Sequence, residues 1–161
     1  MPHPQPPDRP KGAAAIPPLD DFLCFALYAA SHAMTRFYKP LLDPLGLTYP
    51  QYLAMVALWE KGERTVGELG EALGLESSTL TPLLKRLEAM GHVVRARDSR
   101  DERVVRVRLT DQGLALRERA ATVPGCLFAA SGLSLDELVG LRRQLVVLRR
   151  ALEADETTAG A

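Results

Sequence analysis

The chain has 161 residues, with twenty Lys and Arg balancing twenty Asp and Glu. That length supports one core or one subunit of an oligomer, and the balanced charge argues against a protein that coats nucleic acid by bulk attraction. The two cysteines, Cys24 and Cys126, make neither a disulfide framework nor a metal-binding spacing, which points to a reducing, cytoplasmic setting.

Residues 1–18 are rich in proline and lack the apolar stretch of a signal peptide, so a disordered arm is expected there. No apolar run reaches the roughly 18 residues that a spanning helix needs, so no membrane is expected as a partner. From Leu19 to Leu42 apolar residues recur at helical spacing and predict one long helix. A turn at residues 43–48 follows. PQYLAMVALWEKG then predicts a second helix, with Thr48 or Tyr49 at its cap and Gly62 at its end.

Thr65-Val-Gly-Glu68 has the form of a capping box and opens a short helix that stops at Gly74. Ser77 and Ser78 are placed to cap the next helix, SSTLTPLLKRLEAMG. Two short helices joined by GLES make a helix-turn-helix pattern. HVVRARDSRDERVVRVRLT follows, two alternating runs around a charged tip, and predicts a hairpin with a longer loop. Its valines should face the protein and its arginines should face out. Thr110 should cap a helix that includes Pro124, and the segment Ser134 to Glu137 should cap the last one.

The expected fold is therefore mainly α with a small β-hairpin. A winged helix-turn-helix occupies residues 49–110. Helical regions at 19–48 and 111–154 are expected to form a dimerisation domain, and 155–161 a disordered tail.

Charge is uneven along this frame. Between Ser77 and Arg108 eight basic residues face four acidic ones, a local excess of +4. A basic patch on a neutral protein suits double-stranded DNA read at a specific site. The exposed face of the second helix of the motif, Ser77, Ser78, Thr79, Thr81 and Lys85, is polar enough to reach base edges in a major groove. Arg95, Arg97, Arg100 and Arg103 of the hairpin can meet phosphates or a minor groove. Each feature alone has an ordinary explanation, since Ser/Thr helix starts are usually caps and charged hairpins are usually solvated.

The stretch from Phe22 to Tyr52 holds Cys24 and all four tyrosines. A lone cysteine on an apolar helix ordinarily packs in a core. Tyr28, at i+4, can touch Cys24 on one helix face. Tyr38 lies fourteen residues along, about 21 Å at the α-helical rise. Only a partner chain packed antiparallel, or a bend, could bring it to Cys24.

The segments LCFALY, YKPLLDPLGLTYPQYL, TLTPLLKRLEAMG and DSRDERVVRVRLT resemble the MarR transcription regulators, and among them the OhrR-type sensors of organic hydroperoxides. The resemblance runs from Leu19 to Leu152, and Asp98, Arg100, Asp101 and Arg103 match the DxRDxR pattern of the family's wing. It implies a homodimeric repressor straddling an operator, with an organic hydroperoxide as inducer. It implies a reactive Cys24 with Tyr28 nearby and Tyr38 and Tyr49 supplied by the partner, their hydroxyls stabilising the thiolate. The apolar neighbours Phe22, Phe25, Leu27 and Trp59 would favour an alkyl or lipid hydroperoxide.

In two-cysteine members a second thiol resolves the sulfenic acid. Cys126 is the candidate here, with a small thiol in that role, or Cys126 as a packing residue, left open. No cofactor is called for. His3, His32 and His92 lack metal-ligand spacing, and GELGEALG does not have the frame of a phosphate loop. Two other readings stand beside this one: a MarR-type regulator with a reversible phenolic or lipophilic ligand, and a thiol peroxidase.

Overall fold

The computed structural model describes residues 16–159. Residues 1–15 of the expected arm, and residues 160–161 of the expected tail, lie outside them. Residues 16–18 are exposed and have no regular structure.

A 3-10 turn at Leu19–Asp21 precedes the first helix, α1, Leu23–Leu42. The single helix expected from Leu19 is interrupted because Phe22 is extended, at φ −84° and ψ 120°, with no side-chain cap. The next two helices start as the residues dictate. α2, Tyr49–Lys61, opens on a capping box in which the Gln51 amide donates to Thr48 Oγ1 and the Thr48 amide donates to Gln51 Oε1. α3, Val66–Leu73, opens on a second box between Thr65 and Glu68, and Gly74 ends it in the left-handed conformation at φ +63°.

α4, Ser77–Ala89, follows after three residues. Its N-cap is Glu76, and neither Ser77 nor Ser78 caps it. Both serines already lie inside the first turn, where the Glu76 carbonyl accepts from Thr79 and Leu80. Their hydroxyls are left exposed.

Three strands form the wing: β1, Arg64–Thr65, β2, Val93–Arg97, and β3, Val105–Leu109, antiparallel in the order β1-β3-β2. β1 was not expected; a two-residue Arg-Thr strand carries no alternation. β3 alternates as expected, with Val107 buried and Arg106 and Arg108 exposed. β2 does not. Val93 and Val94 are adjacent, so one of them must face out, and it is Val94 that is exposed while Arg95 turns inward.

The helix expected from Thr110 through Pro124 is two helices, α5, Asp111–Ala120, and α6, Val123–Ser131. A proline at 124 cannot donate to residue 120 and its ring would clash with that carbonyl, so α5 ends and Pro124 takes the first turn of α6. The last helix, α7, is Leu135–Ala159, and so carries the helical region past the expected boundary at 154.

The core lies under the winged unit. Leu80, Leu84 and Leu87 of α4, Met55 and Leu58 of α2, Leu69 of α3, and Val93 and Val107 of the wing are essentially inaccessible, and Leu42 joins them from the end of α1. Burial of each such aliphatic side chain stabilises the fold by about 1.5–3 kcal/mol. The two ends of the chain differ sharply. Leu23 and Tyr28 on α1, and Leu135, Leu141, Leu145, Val147 and Leu152 on α7, remain exposed.

Candidate nucleic-acid interface and thiol site

With Leu80, Leu84 and Leu87 directed into the core, the opposite face of α4 presents Ser77, Ser78, Thr79 and Lys85 to solvent. Thr81 is half-buried, at the edge of a cleft of about 450 Å³ that Ser77, Arg95 and Arg103 also line. The α4 face and the wing therefore border one groove.

The wing arginines divide into those that hold the structure and those that are exposed. Arg95 is half-buried and does not simply face out. Its Nε and Nη2 donate to Glu88 Oε2 at 3.0 and 2.7 Å, and its amide donates to Glu88 Oε1 at 2.9 Å, which ties the wing to the recognition helix. The side-chain bond from Arg95 is the main cause that holds the Glu88 carboxyl below its usual range. Asp98 is likewise used within the wing. Its carboxylate accepts from the Arg100 amide at 2.8 Å and from the Arg106 guanidinium, and both draw its carboxyl below the usual range.

Arg106 also reaches Glu63 at 3.1 Å, which fixes the wing to the segment before β1. These two acceptors, Glu88 and Glu63, were not foreseen, because the spacing in sequence gives no sign of either pairing. Arg97, which donates to the Glu102 carbonyl at 3.3 Å, and Arg100 are exposed at the tip, and Arg103, exposed with its side chain 90% accessible, pairs with Asp101 two residues before it. An exposed Ser/Thr/Lys helix face beside a wing tipped by exposed arginines defines a winged-helix DNA-binding protein.

The tyrosines separate along α1. Tyr38 is buried, with its ring stacked on Tyr49 at 4.7 Å between centroids and tilted toward Tyr52 at 6.0 Å. Burial is the main cause that pushes all three phenols above their usual range, so they keep their protons at neutral pH. Cys126 of α6 adds a smaller electrostatic effect in the same direction on Tyr38. Its Sγ points to the Thr122 carbonyl at 3.5 Å.

Tyr52 is 5% exposed and packs in the core. It completes the phenol group, and its position three residues after Tyr49 on α2 was the available signal. Cys24 stands apart. It is exposed near the start of α1, on the same uninterrupted helix as Tyr38 and fourteen residues before it. Tyr28 is also exposed and sets its ring edge-on to His32, 4.3 Å between centroids. Among the described residues no set of His, Cys, Asp and Glu could hold a metal ion. No helix among them is long and apolar enough to cross a membrane.

Comparison with known proteins gives the same picture. The profile for transcriptional regulator SarA/Rot matches residues 36–119. The organic hydroperoxide resistance transcriptional regulator of Bacillus subtilis is 48% identical over 134 residues, covering 83% of this chain and 91% of that one. Reduced AbfR of Staphylococcus epidermidis bound to DNA superposes with a TM-score of 0.72 at 34% identity, over 82% of this chain and 90% of that one. The disulfide form of AbfR matches with a TM-score of 0.56 at 37% identity, over 78% and 88% of the two chains. The chain belongs to the MarR-type winged-helix transcription regulators, in the group of the organic hydroperoxide resistance regulators. The relatives matched at 48% and 50% identity are transcriptional regulators.

Proposed function

We propose that the protein is a homodimeric, cytoplasmic repressor that holds double-stranded operator DNA while Cys24 is reduced and releases it when an organic hydroperoxide oxidises that thiol. One observation carries the reading: a nest of three protonated phenols is built at one end of α1 while Cys24 is left exposed at the other. Fourteen residues of continuous helix, about 21 Å, separate Cys24 from Tyr38 of its own chain. A second copy packed antiparallel on α1 would bring the partner's nest to each Cys24. It would also cover the exposed apolar residues of α1 and α7.

In that arrangement the hydroxyls of Tyr38 and Tyr49 donate to the Cys24 sulfur and favour its thiolate. The thiolate attacks one peroxide oxygen, an S–O bond forms and the O–O bond breaks. The alkoxide takes up a proton and leaves as the alcohol, and Cys24 becomes a sulfenic acid. Attack by a second thiol, with the partner's Cys126 as the candidate, forms the disulfide and releases water. Either product replaces the sulfur that accepted the phenol bonds, and the interface that spaces the two α4 helices repacks. The exposed apolar residues near Cys24, Leu23 among them, suit an alkyl or lipid hydroperoxide. AbfR has been solved reduced on DNA, overoxidized on DNA and in a disulfide form, so a relative of this fold takes up several thiol oxidation states.

The test is operator binding before and after one equivalent of cumene hydroperoxide, for wild type and Cys24→Ser. Release of the wild type alone is expected. If both stay bound, the thiol switch is wrong and a reversible ligand replaces it. Peroxide consumption well beyond one equivalent per thiol, with reductant present, would instead indicate a peroxidase.

A further inference from the structure

Gly113, on the first turn of α5, is where several parts of the molecule meet. Its amide donates to Thr110 Oγ1 at 3.0 Å, and the same hydroxyl donates to the Gly91 carbonyl at 2.6 Å. The Thr110 amide donates to the His92 carbonyl at 3.1 Å. Gly113 lies so close to that carbonyl that a Cβ on it would fall 2.0 Å from the oxygen. Gly91 and His92 lead into β2 and Thr110 leaves β3, so both ends of the wing are fastened at this glycine.

Its remaining polar group, the carbonyl, accepts from Trp59 Nε1 at 2.8 Å. Trp59 is on α2, and its ring meets Tyr52 edge-on at 6.2 Å. Tyr52 in turn adjoins Tyr38, 6.0 Å between ring centroids. The phenol nest and the root of the wing are thus linked within one chain by two aromatic contacts and one hydrogen bond. Trp59 is the sole tryptophan of the chain.

We infer that Trp59 is a positioning residue: through its hydrogen bond to the Gly113 carbonyl, a shift of the phenol nest is passed to the root of the wing. The inference rests on the thiol reading above, since it needs oxidation to disturb the nest. Packed side chains and hydrogen-bonded backbone do not stretch, so a displacement of Tyr52 moves Trp59, and a directional bond moves Gly113 with it. Thr110 and His92 are held to Gly113 and follow. Without the indole N–H, α2 still packs on α5, but the wing root has no directional tie to the nest.

The test compares the operator Kd of reduced protein with that after one equivalent of cumene hydroperoxide. It is run on wild type, on Trp59→Phe, and on protein with benzothienylalanine at position 59, which keeps the ring shape and lacks only the N–H. Wild type should show a ratio of oxidised to reduced Kd of about tenfold or more. Both variants should bind the operator in the reduced state within about threefold of wild type and lose most of that ratio. A merely structural role would change the reduced Kd and leave the ratio alone. A full ratio in the benzothienylalanine protein overturns the inference while the thiol reading stands. A wild-type ratio near one overturns the thiol reading and this inference with it.

Discussion

Glu88 on the recognition helix and Arg95 on the first long wing strand are joined by a forked contact, side chain to side chain at 2.7 and 3.0 Å and Arg95 amide to carboxylate at 2.9 Å. The groove-facing helix and the wing are thereby set relative to each other. Because the folded state holds the Glu88 carboxyl below its ordinary value of 4.5, the pairing adds stability above that value and loses it as pH falls through the lowered one. The difference in Tm between wild type and Glu88→Gln should therefore be greatest near neutral pH and close in acid. A difference that stays constant with pH would show that the charge on Glu88 is not what joins the two elements.

The arginines of the wing should separate in a salt titration of operator binding. Arg100 is exposed at the tip and Arg97 beside it. Arg97→Gln or Arg100→Gln should each reduce the slope of log Kd against log salt by about one for every phosphate contact removed. Arg95→Gln should weaken binding with little change of slope, since Arg95 is committed to Glu88. Equal slope changes for Arg95 and Arg100 would contradict this division.

His92 should make the fold sensitive to mild acid. It is 6% exposed, its Nδ1 has no hydrogen-bond partner among the described residues, and burial followed by the charge of Arg119 pushes it below its ordinary value of 6.5. The unfolded chain takes up a proton near that value while the folded chain stays neutral. Stability is thus complete above it and falls as pH drops below. Urea unfolding at fixed protein concentration should show stability declining from about pH 6.5 to 5, and His92→Gln should flatten the decline. An unchanged decline would place the responsible group elsewhere.

At Gly113 a side chain has no room. The Cβ of an alanine would lie 2.0 Å from the His92 carbonyl oxygen, a backbone atom that cannot swing aside. Gly113→Ala should destabilise the fold by about 3 kcal/mol, read from urea unfolding. Gly125→Ala, which meets nothing within 4 Å, is the matched control. Similar losses in both would remove the close approach as the cause.

Features decided by neighbours in sequence were legible, and features decided by neighbours in space were not. The capping box Thr65–Glu68 joins residues three apart and is readable as such, while at α2 the reading leaves Thr48 or Tyr49 as the cap and the Thr48–Gln51 box of the structure selects Thr48. The serines at 77 and 78 mislead because a cap depends on where the helix begins, and it begins after Glu76. In HVVRAR either valine could face inward, and only packing against the rest of the molecule selects Val93. Glu88–Arg95 and Arg106–Glu63 depend on the folded wing. The phenol cluster was half legible. Tyr38 and Tyr49 are marked by their resemblance to a known pattern, while the stacking of Tyr38 on Tyr49 and its approach to Tyr52 depend on the packing of α1 against α2.

The central claim is that each Cys24 is served by the phenols of the other chain, and mixed dimers test it directly. In one dimer, a subunit with Cys24 and Tyr38→Phe/Tyr49→Phe is paired with a Cys24→Ser subunit whose tyrosines are intact. In the other, a subunit with Cys24 and intact tyrosines is paired with one carrying all three substitutions. The measurement is the rate at which the single Cys24 thiol is lost to cumene hydroperoxide. The account predicts a wild-type rate in the first dimer and a rate about tenfold lower or more in the second, the scale of hydrogen bonds to a charged group. The reverse order, with the second dimer fast and the first slow, would place the phenols and the thiol in one chain and contradict it.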